Sequence, residues 1–403
     1  MRLYNSQSRS IDEFVPRDGH VGIYVCGVTP YDTTHIGHAF TFLTFDILVR
    51  LFRHQGLNVT YVQNVTDIDD DILRKAKELD MTWDALAKRE TEKFLRDMRN
   101  LNALPFDHYT AATGHISEML EIVDQLVEGG YAYEANGSVY FEVAKDPEFG
   151  KLSRIPRGEM LAVANERGNK PDDPNKRDPL DFVLWQAGAP GEPTWDSPWG
   201  PGRPGWHIEC TAMATKYLGT SIDIHGGGYD LIFPHHECEI AQSENATGIE
   251  PFVRFWMHVA MVNYESEKMS KSLGNLVLAS DLLERYPADA IRIYLFSHHY
   301  RMVWEFDDQE MEEWSHKVTR LHEAAHRESG SGDSHIDTRT FRTAFMDALE
   351  NDLHTPAAIG TLIALADVVH AAPPDSDISE AQAALKDLGD ILGLTFETTV
   401  AAA

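Results

Sequence analysis

Two short stretches carry residues that could act on a phosphoryl group. The first, "THIGH" at 34–38, sets His35 and His38 on either side of Ile36-Gly37, just after an apolar run and a loop of Thr, Pro and Gly. If a helix starts here, its free N–H groups and positive dipole end can hold phosphate, and the imidazoles add donors to a transferring group. The second, "EKMSKSLGN" at 267–275, brackets Met269-Ser270 with Lys268 and Lys271 on a polar loop containing Gly274. Two lysines three apart on such a loop can close over a triphosphate and neutralise charge as it develops. Each stretch alone also has a plain explanation, a histidine pair at a helix start or a basic surface turn. The basic turn is the weaker explanation in a chain where 35 Lys and Arg face 64 Asp and Glu.

Metal-ligand types are scattered along the chain. Cys26 closes the run "VGIYVC", Cys210 closes "GWHIEC", and His235 and Glu239 stand four apart in "PHHECE", which puts them on one face of a helix. Two Cys, a His and a Glu form a zinc-type donor set, although no CxxC spacing ties them together. Cys238 would leave that helix on another face and reads as structural. Asp230, after the "GGG" of 226–228, could hold an ammonium or a ribose, or simply make a turn. Asn64 and Thr66 follow a strand end, where sheet enzymes bind ligands.

The two motifs together are far more specific than either alone. The chain resembles class I aminoacyl-tRNA synthetases, whose signatures stand here as His35-Ile36-Gly37-His38 and Lys268-Met269-Ser270-Lys271-Ser272. More narrowly it resembles the cysteinyl-tRNA synthetase family in "YVCGVTPYD", "YVQNVTDIDDDIL", "DFVLW", "GEPTWDSPWGPGRPGWHIEC", "IDIHGGGYDLIFPHHECEIAQSE" and "EKMSKSLGN", spread over about residues 21–305.

The resemblance implies an α/β fold: a Rossmann-type class I synthetase catalytic domain with an insertion, followed by a C-terminal α-helical bundle. It implies attack of a cysteine carboxylate on the α-phosphate of ATP, with magnesium accompanying the nucleotide. His35, His38, Lys268 and Lys271 would stabilise the transition state. Thr29, Gly37, Thr41, Asn64, Thr66, Gly228, Asp230 and Val262 would hold ATP or the adenylate with His35, His38 and Lys271. One zinc per chain would sit on Cys26, Cys210, His235 and Glu239, and Cys26, Trp206 and His207 would border the substrate cysteine. A thiolate binds zinc far better than the hydroxyl of serine, which supplies discrimination without an editing domain.

The acceptor is the open element. The resemblance implies transfer to tRNA(Cys), with Arg154, Arg157, Lys176, Arg177 and the helical bundle as contacts. Phe40, two places after the first motif where the family usually has Arg, and Pro30, where it has Val, resemble instead the mycothiol-pathway ligase. So does the end at "LGLTFETTVAAA", with no small basic anticodon-binding domain. That relative joins cysteine to the amine of glucosaminyl-inositol. A non-catalytic paralogue is a third reading, disfavoured by the complete set of signature residues.

Elements must hold these residues in place. "VGIYVCG" (21–27) reads as a strand and His35 to about His54 as a buried helix capped by Thr33 or Thr34. "NVTYVQNVT" (58–66) reads as a second strand and "DIDDDILRKAKEL" as a helix with acids in its first turn. Strand, helix and strand make a βαβ unit. Residues 68–132 read as largely helical, and sheet returns at 220–228 and 252–262. The division expected is a first Rossmann half at 1–132, a Gly/Pro-rich insertion at 133–200, a second half at 201–262, the signature-loop region at 263–305 and the bundle at 306–403. A net charge of −29 disfavours non-specific adhesion to nucleic acid, though a local basic groove remains compatible with it. Three cysteines argue against a disulfide scaffold. With no apolar leader and no membrane-length run, the expectation is a cytoplasmic monomer with no membrane partner, its acidity reflecting solubility or a salty cytoplasm.

Overall fold

The computed structural model describes every residue except 32–33, 266, 270–275, 333–334 and 398–403. At its centre lies a parallel sheet of β1 (His20–Val28), β2 (Asn58–Val65), β3 (His108–Ala111), β4 (Ile222–Gly228) and β5 (Val253–Val259). Their spatial order is β5-β4-β1-β2-β3. The chain runs outward from β1 through β2 to β3, then returns to the other side of β1 for β4 and β5. The winding therefore switches between β1 and β4, and the carboxyl ends of those two strands frame the crevice where such sheets bind ligands.

Side-chain alternation along β1 decides what lies on each face. Ile23 and Val25 join the apolar core of α1 (Ile36–His54), while Tyr24 and Cys26 join the core of α2 (Trp206–Leu218). The helix α1 is apolar nearly all round and buries Phe40, Leu43, Ile47 and Leu51 among others, as a helix enclosed by other elements must. Its N-cap is His35, whose Nδ1 accepts from the Gly37 N–H at 3.1 Å, and not Thr33 or Thr34. Thr33 lies outside the described residues, and Thr34 is buried, its carbonyl accepting from Ala279 N–H.

Three differences from the sequence reading have local causes. Within 68–132, the helices Asp70–Glu78, Trp83–Asn100 and Ile116–Glu128 enclose the edge strand β3, "HYTA", too short and polar to give a strand signal. The run at 252–262 divides: β5 ends at Val259, and Val262–Tyr264 starts a small sheet with Glu267–Lys268 and Trp304–Glu305. Between the sheet halves lies a four-stranded antiparallel sheet of Ala132–Ala135, Ser138–Phe141, Phe182–Ala187 and Gly202–Pro204, whose last strand falls beyond residue 200. Its first hairpin turns on Asn136-Gly137, both at positive φ (53° and 80°), the backbone an Asn-Gly turn is made for.

Four helices follow: Asp308–His326, Arg339–Glu350, Thr355–Ala371 and Ser379–Ile391. They are joined to α1 through Arg292 on α4 (Ala288–Phe296). The fully buried Arg292 guanidinium donates to Asp46 Oδ2 at 2.5 Å, Leu101 O at 2.8 Å and Leu392 O at 2.7 Å. No described helix is long and apolar enough to cross a membrane.

Candidate active site

One half of the candidate site is built by pairing the two motif segments. Ile36 N–H donates to Val277 O at 2.8 Å, Ala279 N–H donates to Thr34 O at 3.1 Å, and His35 bridges to Leu278. The chain that leaves the 267–275 stretch is thereby fastened to the entrance of α1. Met269, buried, points its Cε to within 3.8 Å of where a Cβ on Gly37 would lie. That Cβ would also stand 2.9 Å from His35 Cε1, so glycine leaves room for the His35 ring to cap the helix. The His35 and His38 rings stack with centroids 3.8 Å apart. Thr41 is turned inward, its hydroxyl donating to Gly37 O. Lys268 has its backbone in the short hairpin opposite Asn263, one residue past Val262, and Lys271 lies outside the described residues. Thr29 follows β1, half-buried, its carbonyl accepting from Tyr31 N–H.

The other half lies on the α2 face of the sheet. Cys26 Sγ is 3.5 Å from Cys210 Sγ and 3.5 Å from Glu239 Oε1, and His235 Nε2 is 3.1 Å from that same oxygen. All four residues are buried. His235 is the penultimate residue of a kinked turn, Ile232–His236, and Glu239 lies in the helix α3 (Glu237–Thr247) that continues it. A tetrahedral zinc with Zn–S of about 2.3 Å and Zn–N or Zn–O of about 2.0–2.1 Å would space its donors about 3.3–3.8 Å apart. The donors found here stand at nearly that spacing, and their types fit the ion. Burial pushes both thiols up; Cys210 adds to the cost of ionising Cys26, while a hydrogen bond from Cys26 partly offsets the burial of Cys210, and burial pushes the His235 imidazole down to its neutral, metal-binding form.

Trp206 and His207 surround His235. The Trp206 ring stacks on His235 at 4.3 Å, and His207 Nδ1 lies 2.9 Å from His235 Nδ1. Burial, helped by the Lys176 charge, lowers His207 to about 3. Three histidines missed by the sequence reading complete the shell. His225 Nε2 is 2.9 Å from Glu239 Oε2, His236 Nε2 is 3.4 Å from Cys26 Sγ, and His258 Nε2 is 2.8 Å from His236 Nδ1. His225 and His236 form with Cys26 and Glu239 a second group close enough to hold an ion. For His225 and His258 the signal was the neighbouring strand pattern: "IHGGG" and "FWMHV" each carry a single histidine in an otherwise apolar strand end. Cys238 is buried among apolar side chains of the α2 face.

Several expected contacts are occupied within the protein. Asn64 Oδ1 accepts from Gly27 N–H at 2.7 Å, and Thr66 donates to the buried Glu209 at 2.8 Å. A Cβ on Gly27 would stand 1.7 Å from Asn64 O, so this approach of β1 to β2 requires glycine. Gly228 ends β4, and Asp230 follows in a single tight turn, its carbonyl accepting from Arg167. In the insertion, Arg154 donates to Gln7 O, Arg157 faces Asp178 at 3.9 Å, and Arg177 pairs with Glu142 while covering the Tyr133 ring at 4.0 Å. Lys176 is half-buried and donates to Asn169.

This arrangement sets the start of α1, with its free N–H groups, and a thiol-rich metal-type cluster on either side of one strand end. Comparison with known proteins places the whole chain. Residues 13–316 match the family model for the class I (C) tRNA synthetase catalytic domain, and residues 344–397 match the DALR domain. A cysteine–tRNA ligase of Dehalococcoides mccartyi is 45% identical over 400 residues, covering 98% of this chain and 86% of that protein. One of Pelotomaculum thermopropionicum is 46% identical over 378 residues, covering 91% and 77%. The solved Mycobacterium tuberculosis methionyl-tRNA synthetase with methionyl-adenylate superposes with a TM-score of 0.63 at 16% identity, over 93% of this chain and 88% of that one, which speaks for the fold. The chain belongs to the class I (C) tRNA synthetases.

Proposed function

We propose that the chain is a cysteine–tRNA ligase, which activates L-cysteine with ATP and passes the cysteinyl group to tRNA(Cys). The observation that carries this reading is the buried Cys26, Cys210, His235 and Glu239 cluster, placed at the switch point beside the helix that begins at His35. These four residues would hold zinc. Bound there, the ion would accept the substrate's thiolate and leave a serine hydroxyl weakly held.

The chain's own residues do the remaining work. Trp206 and His207 fix the His235 ring, and His225 fixes the Glu239 carboxylate, so the donor set is held in place before a substrate arrives. The start of α1 presents free N–H groups to the ATP phosphates, and His35 and His38 add donors there. A cysteine carboxylate oxygen attacks the α-phosphorus, the bond to pyrophosphate breaks, and cysteinyl-adenylate remains. Lys268, Lys271 and magnesium neutralise the charge on the departing pyrophosphate. No covalent protein intermediate is required, because positioning and electrostatics lower the barrier. In the second step a ribose hydroxyl at the tRNA 3′ end attacks the carbonyl and AMP leaves.

Phe40 and Pro30 gain a different meaning from the structure. Both are buried, and the Phe40 ring meets Trp304 edge-on at 5.5 Å, so Phe40 belongs to the packing under α1. Exchange of labelled pyrophosphate into ATP tests the activation half: it should require cysteine and proceed far more slowly with serine. Exchange that ignores cysteine would contradict the reading.

A further inference from the structure

Among the described residues, the large apolar side chains that stand out in solvent include one aromatic ring, Tyr229. It is 60% exposed, and it sits between Gly228 and Asp230 at the carboxyl end of β4, on the rim of the β1–β4 crevice. Its ring and hydroxyl have no partner among the described residues. The turn that displays it is held firmly. A Cβ on Gly226 would stand 2.0 Å from the Phe45 ring, and one on Gly227 would stand 2.7 Å from Leu231, so the backbone lies flat on its neighbours. From the inserted region, Arg167 donates to both Asp230 O and Phe233 O. Asp230 Oδ1 folds back to within 2.7 Å of the Gly228 Cβ position. Side chains of consecutive residues in a tight three-residue turn leave about 120° apart, so Tyr229 departs in another direction, to solvent.

A rigidly held, solvent-facing ring at the mouth of a nucleotide crevice has the chemistry of a base-stacking platform. We propose that Tyr229 stacks on a nucleobase of the single-stranded 3′ end of the acceptor tRNA as that end enters the crevice. This rests on the tRNA reading above and adds the group that recognises the strand. The adenine of ATP is the competing base, but the ring's 60% exposure to solvent favours a strand that arrives from outside over a nucleotide held by its phosphates at the α1 entrance.

The test compares wild type, Tyr229→Ala and Tyr229→Phe in two assays: cysteine-dependent pyrophosphate exchange without tRNA, and charging of tRNA(Cys) transcript at varied concentration. Loss of one stacked base should raise the KM for tRNA about 5- to 30-fold in the alanine variant. Phenylalanine should restore it, because stacking needs no hydroxyl, and the KM for ATP in exchange should stay at the wild-type value. A raised KM for ATP would assign the ring to the nucleotide, and an unchanged KM for tRNA would remove the platform; either overturns the proposal. A wild type that exchanges pyrophosphate but charges no tRNA would overturn the parent reading as well, and is seen before any variant is made.

Discussion

Cys26 and Cys210 stand 184 positions apart in the chain, and their sulfurs lie 3.5 Å apart, both buried. The sheet brings them together. Cys26 takes the α2 side of β1 by alternation, and α2 lays Cys210 over that strand end.

The proposed metal centre therefore depends on both elements. Cys210→Ser keeps the shape of the side chain and replaces a thiolate by a poor ligand. The variant should lose most of its zinc by metal analysis and show a raised KM for cysteine, with the KM for ATP little changed. Full zinc occupancy would remove Cys210 from the ligand set.

Gly37→Ala probes the joint between the two motifs. The added methyl would crowd the His35 ring at 2.9 Å, while Met269 at 3.8 Å would only touch it. With φ in an ordinary region, the cost falls on the ring and not on the backbone. Cysteine-dependent exchange should drop at least about 10-fold, as for a displaced preorganised donor, while thermal stability changes little. An unchanged exchange rate would show that His35 keeps its function without this cap.

Arg292→Met tests the joint between α1 and the C-terminal helices. It leaves Asp46 buried with Arg50 at 3.0 Å and Leu104 N–H at 2.8 Å as its remaining partners. Removing one member of a buried charged network costs about 3–5 kcal/mol, and the surviving partners place this case near the lower figure. The melting temperature should fall by several degrees, and an unchanged value would contradict the network's structural role.

Stability should also depend on pH through His298. Its ring stacks on Trp304 at 4.0 Å, and burial lowers its affinity for a proton in the folded state. The unfolded state then binds more protons below the ordinary histidine value of about 6.5. The stabilisation is complete above that pH and drains away as pH falls toward the depressed folded value. Between pH 7.5 and 5.5 the melting temperature should fall, and His298→Gln should show a shallower fall. Identical slopes would exclude His298 as a contributor.

The parallel sheet was legible because β1, α1, β2 and β4 are long and apolar, with punctuation at Gly27, Gly56 and Gly226–Gly228. The strand β3 was illegible because "HYTA" is short and held mainly by its edge pairing with β2. His35 as N-cap was hidden by two threonines with better capping chemistry directly upstream. The set of four metal-type ligands came from the family resemblance, since only His235 and Glu239 share a local spacing and neither Cys26 nor Cys210 is tied to them by one. The histidine shell was missed for a related reason: His225 and His258 reach the cluster from neighbouring strands, and only the register of β4 and β5 brings them near.

The acceptor is the central claim, and one experiment addresses it directly. Labelled cysteine and ATP are supplied to the protein with either unmodified tRNA(Cys) or glucosaminyl-inositol, and the label is followed into each. A cysteine–tRNA ligase labels the tRNA and leaves the amino sugar unlabelled. Label in the amino sugar alone would contradict the account while leaving cysteine activation intact.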